Sequence, residues 1–298
     1  NHYVHGYLLT SYGYQEYGEK FWPNVLDQTA RLKGLFLPFR QAIRRESGHK
    51  LPEFHHQVMD HYQANLRAQL DTTIQTPSLF LGEDPSIKDE LQIVTDAAGR
   101  KYLLQSSYDE IPTVFQLSGN KKKKLFALGR TYDPYIILRD QRIIFTNSGY
   151  GSRWTNQEYS DVYYYDLTTS TVNRVTKNQK YLSVDYHPGT GRYLAVEAGE
   201  DGQTAIIVFD ENQPIKDTLL QDPRAYYAYP RWLDEAGDQF IFTLRKDSKM
   251  TLGRYSFSTH EVEPLIGPVK ETISRPFPTS EGVYFSSSKT GIDNIYFY

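Results

Sequence analysis

The sequence has no cysteine among its 298 residues. Disulfide staples, thiol catalysis and cysteine-ligated zinc are therefore excluded together. The absence leaves the compartment open, because large periplasmic proteins also do without cysteine. No apolar run approaches the ~20 residues that cross a bilayer as a helix, and the opening residues do not show a signal-peptide pattern. An excess of either charge is lacking too: Lys and Arg number 33, Asp and Glu 36, and the net charge is -3. That balance argues against a general polyanion or nucleic-acid binder. The one basic run, Lys121 to Lys124, follows Gly119-Asn120, where a hairpin turn is expected. It reads as a solvated turn or a guarded strand edge. The chain opens on Asn1-His2 without an initiator methionine, so it is expected to be a processed, truncated or partly captured piece of a longer protein.

What is present in quantity is aromatic. Tyr numbers 25 and Phe 15, against two Met and three Trp. Tyrosine with β-branched residues suits strands that keep one wet face.

Two textures divide the chain. Residues 1 to 70 read as a helical segment, and 71 to 89 as a polar linker. An aromatic amphipathic opening with Tyr12, Tyr14 and Tyr17 ends near Gly18. A second helix is expected over Phe36 to Arg45, where Phe39, Ala42 and Ile43 follow i, i+3, i+4 spacing, with Gly48 as its stop. Pro52 fits the first turn of a third, with Phe54, Val58 and Tyr62 on one face.

From residue 90 to 298 short alternating runs recur. Apolar strands follow Gly99, Gln141, Gly191, Gly237 and Glu281, with spacings of 42, 50, 46 and 44 residues. Four-stranded propeller blades repeat at roughly 40 to 50. Second strands follow each at a similar distance, such as Ala205 to Asp210 and Asn294 to Tyr298. The strand opening the next unit carries an aromatic and often a proline, as in Tyr186-His187-Pro188, Tyr229-Pro230-Arg231-Trp232 and Arg275-Pro276-Phe277-Pro278. A single sheet of this kind cannot bury both apolar faces alone, which is why such units come in series.

Two units carry a resemblance. Tyr186 to Val196 with Gly199-Glu200-Asp201-Gly202 and Ile206 to Asp210, and again Gly282 to Tyr298, resemble blades of the TolB-like propeller family. That implies a mainly β fold, a partial propeller of about four blades plus the start of a fifth, behind a small α-helical segment. It also implies a bacterial cell-envelope setting, periplasmic or outer-membrane-associated, with protein partners. The helical segment, with Gly6-Tyr7-Leu8-Leu9, Tyr17-Gly18-Glu19-Lys20 and Phe39-Arg40-Gln41-Ala42-Ile43, resembles the C-terminal helical tail of a gluzincin-like metallopeptidase domain. In that family the zinc-binding His-Glu-x-x-His comes earlier than such a tail, and the motif does not occur in this chain.

Chemical candidates are few. His55, His56, Asp60 and His61 are the densest set of possible metal ligands. Only His56 and Asp60, at i and i+4, share a helix face, so the set reads as a polar surface and no metal site is assigned. There is no Gly-x-Ser-x-Gly elbow and no phosphate loop, and no cofactor is implied. Ser286-Ser287-Ser288 reads as a structural strand end, and Asn147 to Gly151 as a flexible turn. The longest unit carries its extra residues between Gly149 and Tyr159. Loops on rigid scaffolds often bind, and Tyr, Arg and Trp are hot-spot residues, so Tyr150, Arg153 and Trp154 are the candidate binding residues. The tyrosine rows Tyr163 to Tyr165 and Tyr226 to Tyr229 are expected to pack between blades. A non-catalytic binding or scaffolding role follows. Its alternatives are the propeller half of a peptidase, metallo or serine, and a glycan-handling propeller centred on Trp154.

Overall fold

The structure, a computed structural model, describes residues 2–32, 36–71, 88–119, 121–151, 153, 156–211 and 216–298. The chain divides into two compact units, one through residue 80 and one from residue 81.

The first unit is helical: α1 (His2–Tyr17), α2 (Phe21–Ala30), α3 (Pro38–Ser47) and α4 (Leu51–Asp71). Tyr12, Phe21, Val25, Ala42, Ile43, Phe54 and Val58 form its core. The expected α1, α3 and α4 are present, and Gly48 closes α3 at φ 79°, in the left-handed region glycine favours. The helix α2 was not expected. Its Pro23 interrupts the pattern in sequence but lies in the first turn, where a missing N–H costs nothing. Gly13 admits the Trp22 indole where a Cβ would overlap it, and that indole donates to the Thr10 carbonyl at 2.8 Å.

The second unit is five antiparallel sheets in chain order. The first holds β1 (Lys88–Thr95), β2 (Lys101–Ser107), β3 (Thr113–Ser118) and β4 (Lys121–Ala127). The second holds β5 (Ile137–Arg139), β6 (Arg142–Tyr150), β7 (Glu158–Asp166) and β8 (Thr171–Arg174). The third holds β9 (Tyr181–His187), β10 (Arg192–Ala198), β11 (Thr204–Asp210) and β12 (Lys216–Gln221). The fourth holds β13 (Ala225–Trp232), β14 (Gln239–Lys246), β15 (Lys249–Ser256) and β16 (Val262–Val269), and the fifth β17 (Ile273–Pro278), β18 (Val283–Ser287) and β19 (Asn294–Phe297). Within each sheet every strand pairs with the next in sequence.

Strand alternation explains the stacking. In β6 Ile143 and Phe145 pack against Tyr102, Leu104 and Val114 of the first sheet, while Ile144 packs against Tyr181 and Tyr193 of the third. In β10 Leu194 and Val196 face Phe240 and Phe242 of the fourth sheet, while Tyr193 and Ala195 face back. In β14 Ile241 turns to Ile273, Val283 and Phe285 of the fifth. Neighbouring residues point to opposite faces, so a short apolar run glues one blade to two others.

Two expectations need correction. The fifth blade is not just a start: it has three strands, with Asn294–Phe297 the third rather than the second. Counting strands from the one after the glycine turn skips the proline-bearing strand that opens the same sheet, here Ile273–Pro278. Asn147 to Tyr150 is not a turn either. It continues the β6–β7 ladder out to Tyr150 opposite Glu158, because Asn, Ser and Gly can stay extended when a partner strand saturates their backbone. Residues 72–87 of the expected linker lie outside the described residues.

Candidate functional site

In a four-stranded antiparallel blade, the second-to-third turn and the link to the next blade emerge at the same end. Here that end carries the β6–β7 hairpin and the segment before β5. The opening strands β5, β9, β13 and β17 neighbour one another in succession. At that end they bring together side chains far apart in sequence.

Asp133, in the segment before β5, is the hub. Its carboxylate accepts the Tyr229 hydroxyl and, at 3.2 Å, Nη2 of Arg275. Tyr229 belongs to β13 and Arg275 to β17, so three blades meet at one carboxylate. Both partners have left-handed backbone, φ 50° for Tyr229 and 48° for Arg275. Each precedes a proline and each sits at a register shift, between Ala228 and Arg231 and between Ser274 and Phe277. Bulges re-aim side chains, and a bulky residue held there stores strain on the order of 1–3 kcal/mol. Burial first, and then the Asp133 hydrogen bond, push the Tyr229 hydroxyl above its ordinary range. Burial would lower Arg275, but Asp133 together with Tyr229 and Tyr135 outweighs it and raises that guanidinium above its ordinary value.

A second layer lies deeper. Arg139 of β5 donates Nε and Nη2 to Asp185 of β9 at 3.0 and 2.8 Å. Asp185 also accepts the Tyr186 and Trp232 amides at 2.8 and 2.9 Å. Burial works against the Arg139 charge, and Asp185 more than offsets it. Arg231 of β13 is 1% exposed. Its Nη1 donates to the Pro230 and Val184 carbonyls at 2.7 and 3.2 Å. Its Nε and Nη2 are buried without a partner among the described residues. The half-buried Tyr135 ring covers it, 4.5 Å from ring centroid to guanidinium carbon, with Arg275 at 5.8 Å from the same ring.

The hairpin expected to bind is built differently. Tyr150 is exposed, and the Arg130 guanidinium lies 4.4 Å from its ring centroid. Arg130 pairs with Glu158 at 2.8 Å, and the Tyr132 hydroxyl donates to the same carboxylate. The Tyr132 bond, opposed by burial and helped by Arg130, holds Glu158 below the usual carboxylate range. Arg153 is exposed, and Trp154 lies outside the described residues. The segment 130–135 joins both places: Arg130 and Tyr132 brace the hairpin, while Asp133 and Tyr135 enter the axial cluster.

Of the other candidates, His55 places its Nε2 2.9 Å from that of His5, and no group of three or more ligating side chains suited to a metal occurs among the described residues. The three serines brace their strand: Ser286 donates to the Ser274 carbonyl, Ser287 accepts the Lys289 amide and Ser288 the Thr272 amide. Tyr163 and Tyr165 pack as expected, against Phe145 and Phe126. Tyr229 does not merely pack. Sequence reasoning missed the axial residues because Tyr229-Pro230-Arg231 and Arg275-Pro276 served only as strand markers. A usable signal was there: Arg139, Asp185 and Arg231 recur at 46-residue steps, charged positions inside otherwise apolar opening strands.

No family model matches the sequence, and no curated protein does. Solved structures do. One assigned as TolB from Agrobacterium tumefaciens superposes with a TM-score of 0.51 at 15% identity, over 71% of this chain and 74% of that one. TolB from Acinetobacter baumannii gives 0.47 at 16% identity, over 73% of this chain and 55% of that one. A puromycin-hydrolyzing peptidase from Mycobacterium tuberculosis gives 0.47 at 16%, over 70% and 37%. The class is thereby defined as a β-propeller. More particularly, the five sheets have the TolB-like propeller fold.

Proposed function

We propose that this chain is a non-catalytic binding module of a larger bacterial cell-envelope protein, periplasmic or outer-membrane-associated, and that it holds protein partners at the end of the propeller bearing the axial cluster. The observation that carries the reading is the convergence of Asp133, Tyr229 and Arg275 from three blades, with two of the three in strained backbone. Strain of that kind persists where the surrounding fold over-determines it and marks ligand clamps. Tyr and Arg held rigidly, with little entropy left to lose, are the residues that anchor interfaces.

The test is site-specific photo-cross-linking in cells. A cross-linker replacing Tyr226, at the start of β13 on the proposed end, is expected to trap a defined partner. One replacing Asp140, in the β5–β6 turn at the opposite end, is expected to trap none. Equal trapping from both would sink the reading. A second reading, the propeller portion of a metallopeptidase-like protein whose zinc motif lies upstream of Asn1, rests on the resemblance of the helical segment alone. It requires bound zinc and peptidase activity in the longer protein, and zinc analysis of that protein decides it.

A further inference from the structure

Around the axis, Arg139, Arg231 and Arg275 face Asp133 and Asp185, three guanidiniums against two carboxylates. Asp185 is saturated by four donors, and Asp133 is taken by Tyr229 and Arg275. The positive charge left over belongs to Arg231, the most deeply buried of the three. Its atoms without a partner among the described residues are Nε and Nη2, the edge with which Arg139 grips Asp185 in the neighbouring blade. That edge matches a carboxylate bidentately. A buried cation without a partner is costly, and an orphaned polar group in a native fold calls for an explanation.

We propose that Arg231 is a carboxylate-binding residue, covered by Tyr135 and flanked by Arg275, that receives an acidic group from the partner. The inference rests on the reading of this propeller end as a binding surface and names the chemistry it takes. The Tyr135 ring stands over Arg231 and is itself half-buried. On this proposal the Tyr135 ring gives way, and the incoming carboxylate replaces a cation–π contact with two charge-assisted hydrogen bonds. Arg275, whose side chain is 41% exposed, supplies the outer positive charge that draws the group in. The carboxylate can be a glutamate side chain or a chain terminus, since both present the same planar pair of oxygens.

The experiment is calorimetric titration of the full chain with three peptides. Acetyl-Ala-Glu-Ala-amide carries only a side-chain carboxylate, acetyl-Ala-Ala-Ala with a free terminus only a terminal one, and acetyl-Ala-Ala-Ala-amide none. One or both acidic peptides are expected to bind and the neutral one not to bind; which acid binds identifies the source. Arg231→Lys keeps the charge and loses the fork, and is expected to weaken the acidic peptide at least tenfold. Tyr135→Ala is expected to speed association in stopped-flow measurements. Arg231→Met provides a stability readout: the acidic peptide should raise the wild-type Tm and leave this variant's Tm unmoved. Binding that survives unchanged in Arg231→Lys, or no acidic peptide binding to the wild type, overturns the inference. Should the Tyr226 cross-linker still trap its partner in Arg231→Lys at wild-type yield, the binding-surface reading stands and the carboxylate assignment falls alone.

Discussion

Asp185 has no exposed side-chain surface and satisfies two blades at once, through Arg139 and through the Trp232 amide. Removing it leaves a guanidinium without its counter-charge in a part-buried place. Breaking a buried pair costs about 3–5 kcal/mol, and Arg139 keeps 27% exposure, so it recovers some hydration. Asp185→Ala is therefore expected to lower stability by about 3 kcal/mol, at the low end of that range, read from the urea midpoint. A loss within about 0.5 kcal/mol, the level of an ordinary surface change, would show that the pair holds nothing together. Arg231 and Arg139 present the same edge of the same group to different surroundings. A carboxylate from the neighbouring blade fills one fork, and nothing among the described residues fills the other.

At the scale of elements, each blade is fixed by how closely its strands approach. Gly253 in β15 lies opposite Phe242 of β14, and a Cβ there would come within 2.8 Å of the Phe242 ring. Phe242 is fully buried between the third and fourth sheets, so it has no room to yield. Gly253→Ala is expected to cost about 1–3 kcal/mol by overpacking, and Gly253→Ala with Phe242→Leu to recover part of that in a double-mutant cycle. Additive losses would mean that the two do not meet. The β6–β7 hairpin is the longest in the propeller and projects at the proposed binding end. Replacing Tyr150, Arg153 and Trp154 together with alanine is expected to reduce partner cross-linking from Tyr226 several-fold while leaving Tm within a few degrees. Unchanged cross-linking would assign the hairpin a packing role only. The helix α2 and the extended Asn147 to Tyr150 were illegible for different reasons: Pro23 falls in a first turn that needs no N–H, and a polar Gly-rich run stays extended when a partner strand saturates its backbone.

For the molecule as a whole, carboxylates at the edges of several blades tie turns together. Backbone N–H groups of Thr169 and Thr168 hold Asp166 below the usual range, and Lys246, with the Arg224 amide, holds Asp222 there. At Asp96 burial acts upward, but hydrogen bonds from Arg100 and Ala98 prevail and lower it. A depressed folded-state value means stability that is present above the unfolded carboxylate value near 4 and is lost as pH falls through the folded values. Tm is expected to be nearly flat from pH 7 to about 5 and to fall below about pH 4. A rise toward acid would contradict these assignments. The sequence by itself determined the repeat, the order of the blades, the helical segment before them and, through alternation, which residues glue sheet to sheet. Those are consequences of period and polarity, which act between near neighbours in the chain. Only the tertiary structure decided that the fifth sheet has three strands, that Asp133 gathers Tyr229 and Arg275, and that no described residue fills the fork of Arg231. Those residues lie one to three blades apart, and stacking the sheets about an axis is what turns sequence spacings of 46, 96 and 142 residues into hydrogen bonds.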